Sequence, residues 1–170
     1  MFKWFLCLIL ILSCGSLGMM KAQSYSQRLT ELSDLKDMIR MLRTEMQYRK
    51  DPLPTVFIRI ASYKENRSME LLERCIGLMK ENMEFKTCWE KAADLAYRGS
   101  CLTETDLAVI KDLGLQLGKS DIQGHAGVFS LTEAKLEAQI QEASEEKKAK
   151  GKMYRGLGFS AGILIAVILI

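Results

Sequence analysis

The segment Gly114-Leu115-Gln116-Leu117-Gly118-Lys119-Ser120 comes nearest to a chemical signature in this chain. A phosphate-cradling loop needs Gly, four residues and then Gly-Lys-Ser, so that backbone amides and the lysine can wrap the phosphates. Here three residues separate the glycines, and Leu113 stands where the first glycine belongs. Such a loop also follows a strand, whereas Leu107, Ile110, Leu113 and Leu117 keep helical spacing. The segment therefore reads as a helix end followed by a cap. His125 is the single histidine, and no neighbour completes a metal site around it. Of the five cysteines, Cys7 and Cys14 lie in an apolar run, leaving Cys75, Cys88 and Cys101 at gaps of twelve residues. An odd set is a poor disulfide framework and this spacing matches no common zinc site, so buried, reduced thiols are expected. Asn66-Arg67-Ser68 has the form of a glycosylation sequon, which has meaning only outside the cytosol. No catalytic constellation emerges. The chain reads as a non-enzyme with no cofactor, metal or small-molecule substrate.

The elements around these residues say more. Two apolar runs, Trp4–Met20 and Gly156–Ile170, bracket nearly all of the charge. As helices they would be about 26 and 22 Å long, marginal against a hydrocarbon core of ~30 Å. Lys3 and Lys21 can snorkel at the first, and Met153 and Tyr154 can extend the second. The first run has two readings. It is a retained transmembrane anchor, or it is a cleaved signal of an exported helical lipoprotein or ligand, with Ile11-Leu12-Ser13-Cys14 as a lipoprotein-like cleavage site. Basic residues decide orientation: Lys21, Arg28 and Lys36 follow the first run, and Lys147, Lys148, Lys150, Lys152 and Arg155 precede the second. Basic flanks stay in the cytosol, so residues 21–155 are expected there, with both tips on the far side. The same cluster would lie against anionic headgroups. Net charge is +3, and with the basic residues gathered at the membrane nothing points to nucleic acid. Small residues let membrane helices approach closely, so Gly15 and Gly18 are expected to pack the first span against Gly158 and Gly162 of the second.

The body between the spans reads as an all-α, antiparallel helical bundle. Tyr25, Leu32, Ile39 and Met46 recur every seven residues, with Leu35 and Leu42 between them, and this helix should run on from the first span and stop before Pro52. Asp51-Pro52-Leu53-Pro54 makes a turn, with Pro54 in the first turn of a short helix through Ile58 and Ile60. A third helix is expected over 68–82. Thr87-Cys88-Trp89-Glu90 reads as a capping box opening a fourth, and Thr103-Glu104-Thr105-Asp106 opens a fifth that Gly118 should end in the left-handed conformation. Ser120 or Asp121 would cap a last helix carrying Ile122, Phe129, Leu136 and Ala143 at heptad spacing, antiparallel to the first.

These features resemble the stage III sporulation protein AB family of endospore-forming bacteria. The resemblance rests on the Asp51–Pro54 turn, on Leu117-Gly118-Lys119-Ser120-Asp121, on Lys152-Met153-Tyr154-Arg155-Gly156-Leu157-Gly158, and on the apolar tail. It covers the whole length, although 69–101 matches only in helical character. It implies a helical domain similar to the cytoplasmic domains of type II secretion and type IV pilus platform proteins. It also implies residence in the mother-cell membrane facing the forespore, within a channel complex whose companion ATPase supplies the nucleotide site. Within that picture Asp51, Pro52, Lys119, Ser120 and Asp121 are the expected partner contacts.

Overall fold

The computed structural model describes the backbone of residues 2–48, 51–81, 83–118 and 125–169, with side chains except those of 2–11, 14, 125, 155, 159 and 166–169. Its helices are α1 (Phe2–Tyr48), α2 (Leu53–Ala61), α3 (Arg67–Met79), α4 (Phe85–Ala96), α5 (Glu104–Leu117) and α6 (His125–Leu169). No strand occurs among the described residues. The chain divides into two compact units, Met1–Leu29 with Gln141–Ile170, and Thr30–Ile140.

In the Thr30–Ile140 unit the stripe of α1 supplies Leu32, Leu35, Met38, Ile39 and Leu42, all fully buried. Each such side chain is worth roughly 1.5–3 kcal/mol removed from water. In the same unit α6 lies antiparallel to α1: Lys36 pairs with Glu137, and Arg43 reaches Glu133 at 3.3 Å, so partners fall along α6 as they rise along α1. Helices α2 to α5 pack as successive neighbours, α2 on α3, α3 on α4, and α4 on α5.

The centre of this unit is aromatic. Trp89 stands 5.8 Å from Phe57 and 6.0 Å from Phe85, centroid to centroid. A buried indole needs a partner for its N–H, and Trp89 Nε1 donates to the Ile110 carbonyl at 2.8 Å. That bond draws the ring onto α5 where Gly114 offers only a hydrogen. A Cβ at Gly114 would lie 2.0 Å from Trp89 Cδ1.

The turn after α4 is held by one cation. Arg67 Nη1 donates to the carbonyls of Ala96 (3.0 Å) and Arg98 (3.3 Å), and its Nε lies 3.4 Å from Glu31 Oε1. Positive charge at a helix C-terminus complements the macrodipole. Glu31 Oε2 accepts the Cys101 amide at 3.2 Å, and the hydroxyls of Ser68 and Tyr97 bond at 2.9 Å in the interior. Gly99, at φ 69°, turns the chain between α4 and α5 where a side chain would be strained.

Three helix ends differ from expectation. The Thr87 capping box does not open α4, which begins at Phe85 with Glu84 before it. An earlier start puts Phe85 and Trp89 four residues apart on one helical face, and their packing with Phe57 outweighs a local cap. Gly118 is right-handed (φ −73°, ψ −19°), its amide donating to the Gly114 carbonyl. Its missing side chain serves Phe85, whose Cδ1 would be 3.2 Å from a Cβ there. Helix α3 ends at Met79 instead of reaching residue 82, which lies outside the described residues. The Thr103–Asp106 capping box forms as expected.

Gly114→Ala should lower the stability of the full chain by about 1–3 kcal/mol through overpacking against Trp89. Thermal melts should show Gly114→Ala combined with Trp89→Leu losing less than the sum of the two single changes.

Candidate helix seam and partner-contact turn

In the unit formed by Met1–Leu29 and Gln141–Ile170, α1 and α6 form an antiparallel pair with closely spaced backbones. A Cβ on Gly18 would lie 2.6 Å from the Tyr154 carbonyl oxygen and 3.1 Å from Gly158 Cα. Further along α1, Tyr25 stacks on Tyr154 with centroids 6.0 Å apart and planes inclined by 21°. Arg28, 5% exposed, donates to Glu146 Oε2 at 2.8 Å and lies 3.5 Å from Glu142. Gly18, Ala22, Ala143, Gly151 and Gly162 are small buried residues of this unit, and a Cβ on Gly151 would meet nothing within 4 Å. Gly15 is half-buried, and a Cβ there would meet nothing within 4 Å. Of the glycines marked for span packing, the fold thus brings Gly18 and Gly158 together.

The charges at the seam are arranged unequally. Lys150 donates to Glu146 Oε1 at 2.5 Å and sits 5.8 Å over the Tyr25 ring. The Lys150 hydrogen bond, with Arg28 behind it, holds the Glu146 carboxyl below the usual carboxylate range. Burial, and then Tyr154, pushes the Tyr25 phenol up. Lys147, Lys148 and Lys152 are exposed, while the side chain of Arg155 lies outside the described residues. Among the described residues no helix is long and apolar enough to cross a membrane. Much of Trp4–Met20 and the end of Gly156–Ile170 have side chains outside that description.

In the Thr30–Ile140 unit, Asp51 and Pro52 are exposed at the turn into α2. The Pro52 carbonyl accepts the amides of Thr55 and Val56, and Arg59 pins the turn by donating to Asp51 at 3.0 Å and Glu45 at 2.5 Å. Beside this clamp a depression of about 280 Å³ is lined by Arg40, Met41, Thr44, Glu45, Ile60 and Tyr63. Sequence reasoning missed it. The available signal was Met41 and Tyr63, large apolar residues off the heptad stripes, exposed by 37% and 62%. Lys119, Ser120 and Asp121, the other expected contacts, lie outside the described residues, as does the His125 side chain.

Gly114 through Leu117 are α5, so the phosphate-loop-like segment is helical as far as it is described. No group of three or more His, Cys, Asp or Glu among the described residues could hold a metal. Cys75, Cys88 and Cys101 are free thiols; the first two are buried and Cys101 is half-buried. Burial pushes the Cys75 thiol up to about 12.

A family model described as stage III sporulation protein AB matches residues 3–170. Stage III sporulation protein AB of Bacillus subtilis (strain 168) is 27% identical over 153 residues, which is 89% of this chain and 90% of that protein. A solved structure of stage III sporulation protein AB superposes with a TM-score of 0.66 at 23% identity, covering 72% of this chain and 98% of that one. At that identity the structural likeness is one of fold.

Gly18→Ile should push the seam apart. A bismaleimide that bridges Tyr25→Cys and Tyr154→Cys in the parent should then cross-link them several-fold more slowly. The thiols give a pH test. A folded-state pKa for Cys75 of about 12, against an ordinary 9.0, favours the protonated fold. That stability is full below pH 9 and is lost as pH rises toward 12. Denaturant midpoints should fall over this window and fall less in Cys75→Ala, and at pH 8 iodoacetamide should modify Cys101 well before Cys75.

Proposed function

This chain belongs to the stage III sporulation protein AB family, and from that membership we propose that it is a membrane-moored, non-enzymatic component of the channel complex joining mother cell to forespore. It is an all-α protein of sporulation stage III. In our reading Trp4–Met20 and Gly156–Ile170 insert in the mother-cell membrane, and the helices between them work on its cytosolic side.

The observation that carries the mooring is the antiparallel seam. Gly18 against Gly158 and Arg28 against Glu146 hold the two apolar ends side by side, so both would enter one membrane face. The basic residues Lys147, Lys148, Lys150, Lys152 and Arg155 gather just before the second run, which supports a cytosolic body.

In this reading the chain meets other stage III sporulation channel proteins, including a companion ATPase whose motion it passes to the membrane assembly. The turn at Asp51 and Pro52, with the Met41–Tyr63 depression beside it, is the favoured contact; Lys119, Ser120 and Asp121 are proposed to join it. A clamped turn next to a half-exposed apolar depression has the makeup of a contact patch, a buried anchor site with a polar rim.

The topology is tested with Tyr63→Cys in a Cys101→Ser background. An impermeant maleimide should leave it unlabelled in intact mother cells and label it after permeabilisation. Labelling in intact cells would overturn the reading in favour of an exported lipoprotein. The purified chain should also capture the companion ATPase, and Tyr63→Ala should weaken that capture by about tenfold or more. Unchanged capture would remove the depression from the contact.

A further inference from the structure

In the unit formed by Met1–Leu29 and Gln141–Ile170, exposed side chains change character abruptly on both helices. On α1, Leu17, Met19 and Met20 are 67%, 65% and 67% exposed, and Lys21 follows at once. On α6 the order is mirrored: Lys152 is exposed, then come Met153 at 48% and Leu157 at 55%, with Arg155, whose side chain lies outside the described residues, between them. On the charged side of each break, over residues 21–29 and 141–152, no large apolar side chain is exposed. The two breaks are level, because Gly18 abuts Tyr154 and Gly158 while Tyr25 stacks on Tyr154.

The charges on the polar side fall into two groups. Arg28 and Lys150 are matched within the protein by Glu142 and Glu146. Lys21, Lys147, Lys148 and Lys152 are exposed and make no ion pair among the described residues. In the Thr30–Ile140 unit Lys36, Lys64, Lys111 and Lys135 each have a carboxylate, while Lys80, Lys86 and Lys91 are exposed without one among the described residues, so what sets the four apart is their place at the apolar break. Glu145, exposed on the same stretch of α6, is the acidic group left to oppose the four.

We propose that Lys21, Lys147, Lys148 and Lys152 seat on the phosphates of anionic phospholipid, making this end of the helix pair a headgroup site that prefers a lipid such as phosphatidylglycerol. The inference rests on the membrane-moored reading and adds the lipid's charge to it. An acidic protein or a nucleic acid would answer the ammonium groups but leave the exposed Leu and Met side chains in water. An anionic bilayer answers both sides of the break at once. Phosphate attraction fades within about 8 Å in physiological salt, and the lysines stand at the apolar boundary where that range is enough.

The test uses the full chain in detergent, titrated with short-chain phosphatidylglycerol or phosphatidylcholine while binding is read by microscale thermophoresis. The parent should bind phosphatidylglycerol more tightly. Each of Lys21→Gln, Lys147→Gln, Lys148→Gln and Lys152→Gln should weaken that binding roughly fivefold, leaving phosphatidylcholine unaffected. Lys80→Gln, an exposed lysine of the Thr30–Ile140 unit, should change nothing. Equal affinity for the two lipids, or a preference surviving in the fourfold variant, overturns the proposal. Carbonate extraction of cell membranes separates this from the underlying reading. A chain kept in the pellet without lipid preference defeats the headgroup site alone, and a chain released to the supernatant defeats the mooring and the site together.

Discussion

The first and last helices must lie alongside each other in opposite directions, and the rest of the fold hangs on that constraint. Arg28 and Glu146 meet across a separation of 118 residues. Closing a loop of that length costs about 4 kcal/mol beyond a constant, by the logarithmic rule for chain entropy. The ion pairs that mark the register are poor candidates to offset it, since exposed pairs are worth about 0–1 kcal/mol and a buried one such as Arg28–Glu146 loses much of its attraction to desolvation. Burial does the work instead. In the Thr30–Ile140 unit it comes from Leu32 to Leu42 on α1 and from Phe129 and Leu136 on α6. In the other unit the small residues Gly18, Ala22 and Ala143 permit close contact. Charge then selects one register from those that packing allows.

Inside the Thr30–Ile140 unit, two polar arrangements tie helices that apolar packing alone would leave free to slide. Trp89 fixes α4 on α5 by donating to a main-chain carbonyl, and Gly114 is the shape that this donation demands. Arg67 fixes the start of α3 to the end of α4 and to Glu31 on α1. Each bond satisfies a group whose burial would otherwise cost stability, so each narrows the choice of packing more than it adds energy.

Much of this was legible in the sequence, for a physical reason: heptad spacing and local caps report on neighbours within a turn or two. Leu32, Leu35, Ile39 and Leu42 are buried as their spacing required, and Thr103 and Asp106 form their box. What was not legible depends on distant partners. The start of α4 is set by Phe57, and the glycine at 118 by Phe85. Asn66-Arg67-Ser68 read as a sequon, yet Asn66 caps α3, Arg67 clamps the α4 turn and Ser68 bonds Tyr97. The turn at Asp51 and Pro52 announced itself through its prolines. The depression beside it did not, because Met41 and Tyr63 belong to no periodic stripe and meet only after α2 folds back on α1.

The Arg67 guanidinium serves carbonyls of the α4 turn and a carboxylate of α1 at the same time. Lysine, with a compact ammonium in place of a planar fork, could not reproduce that geometry. Three segments of chain, the start of α3, the turn after α4 and α1, are thereby fastened at one side chain. A corner built this way behaves as a latch whose pin is one planar cation.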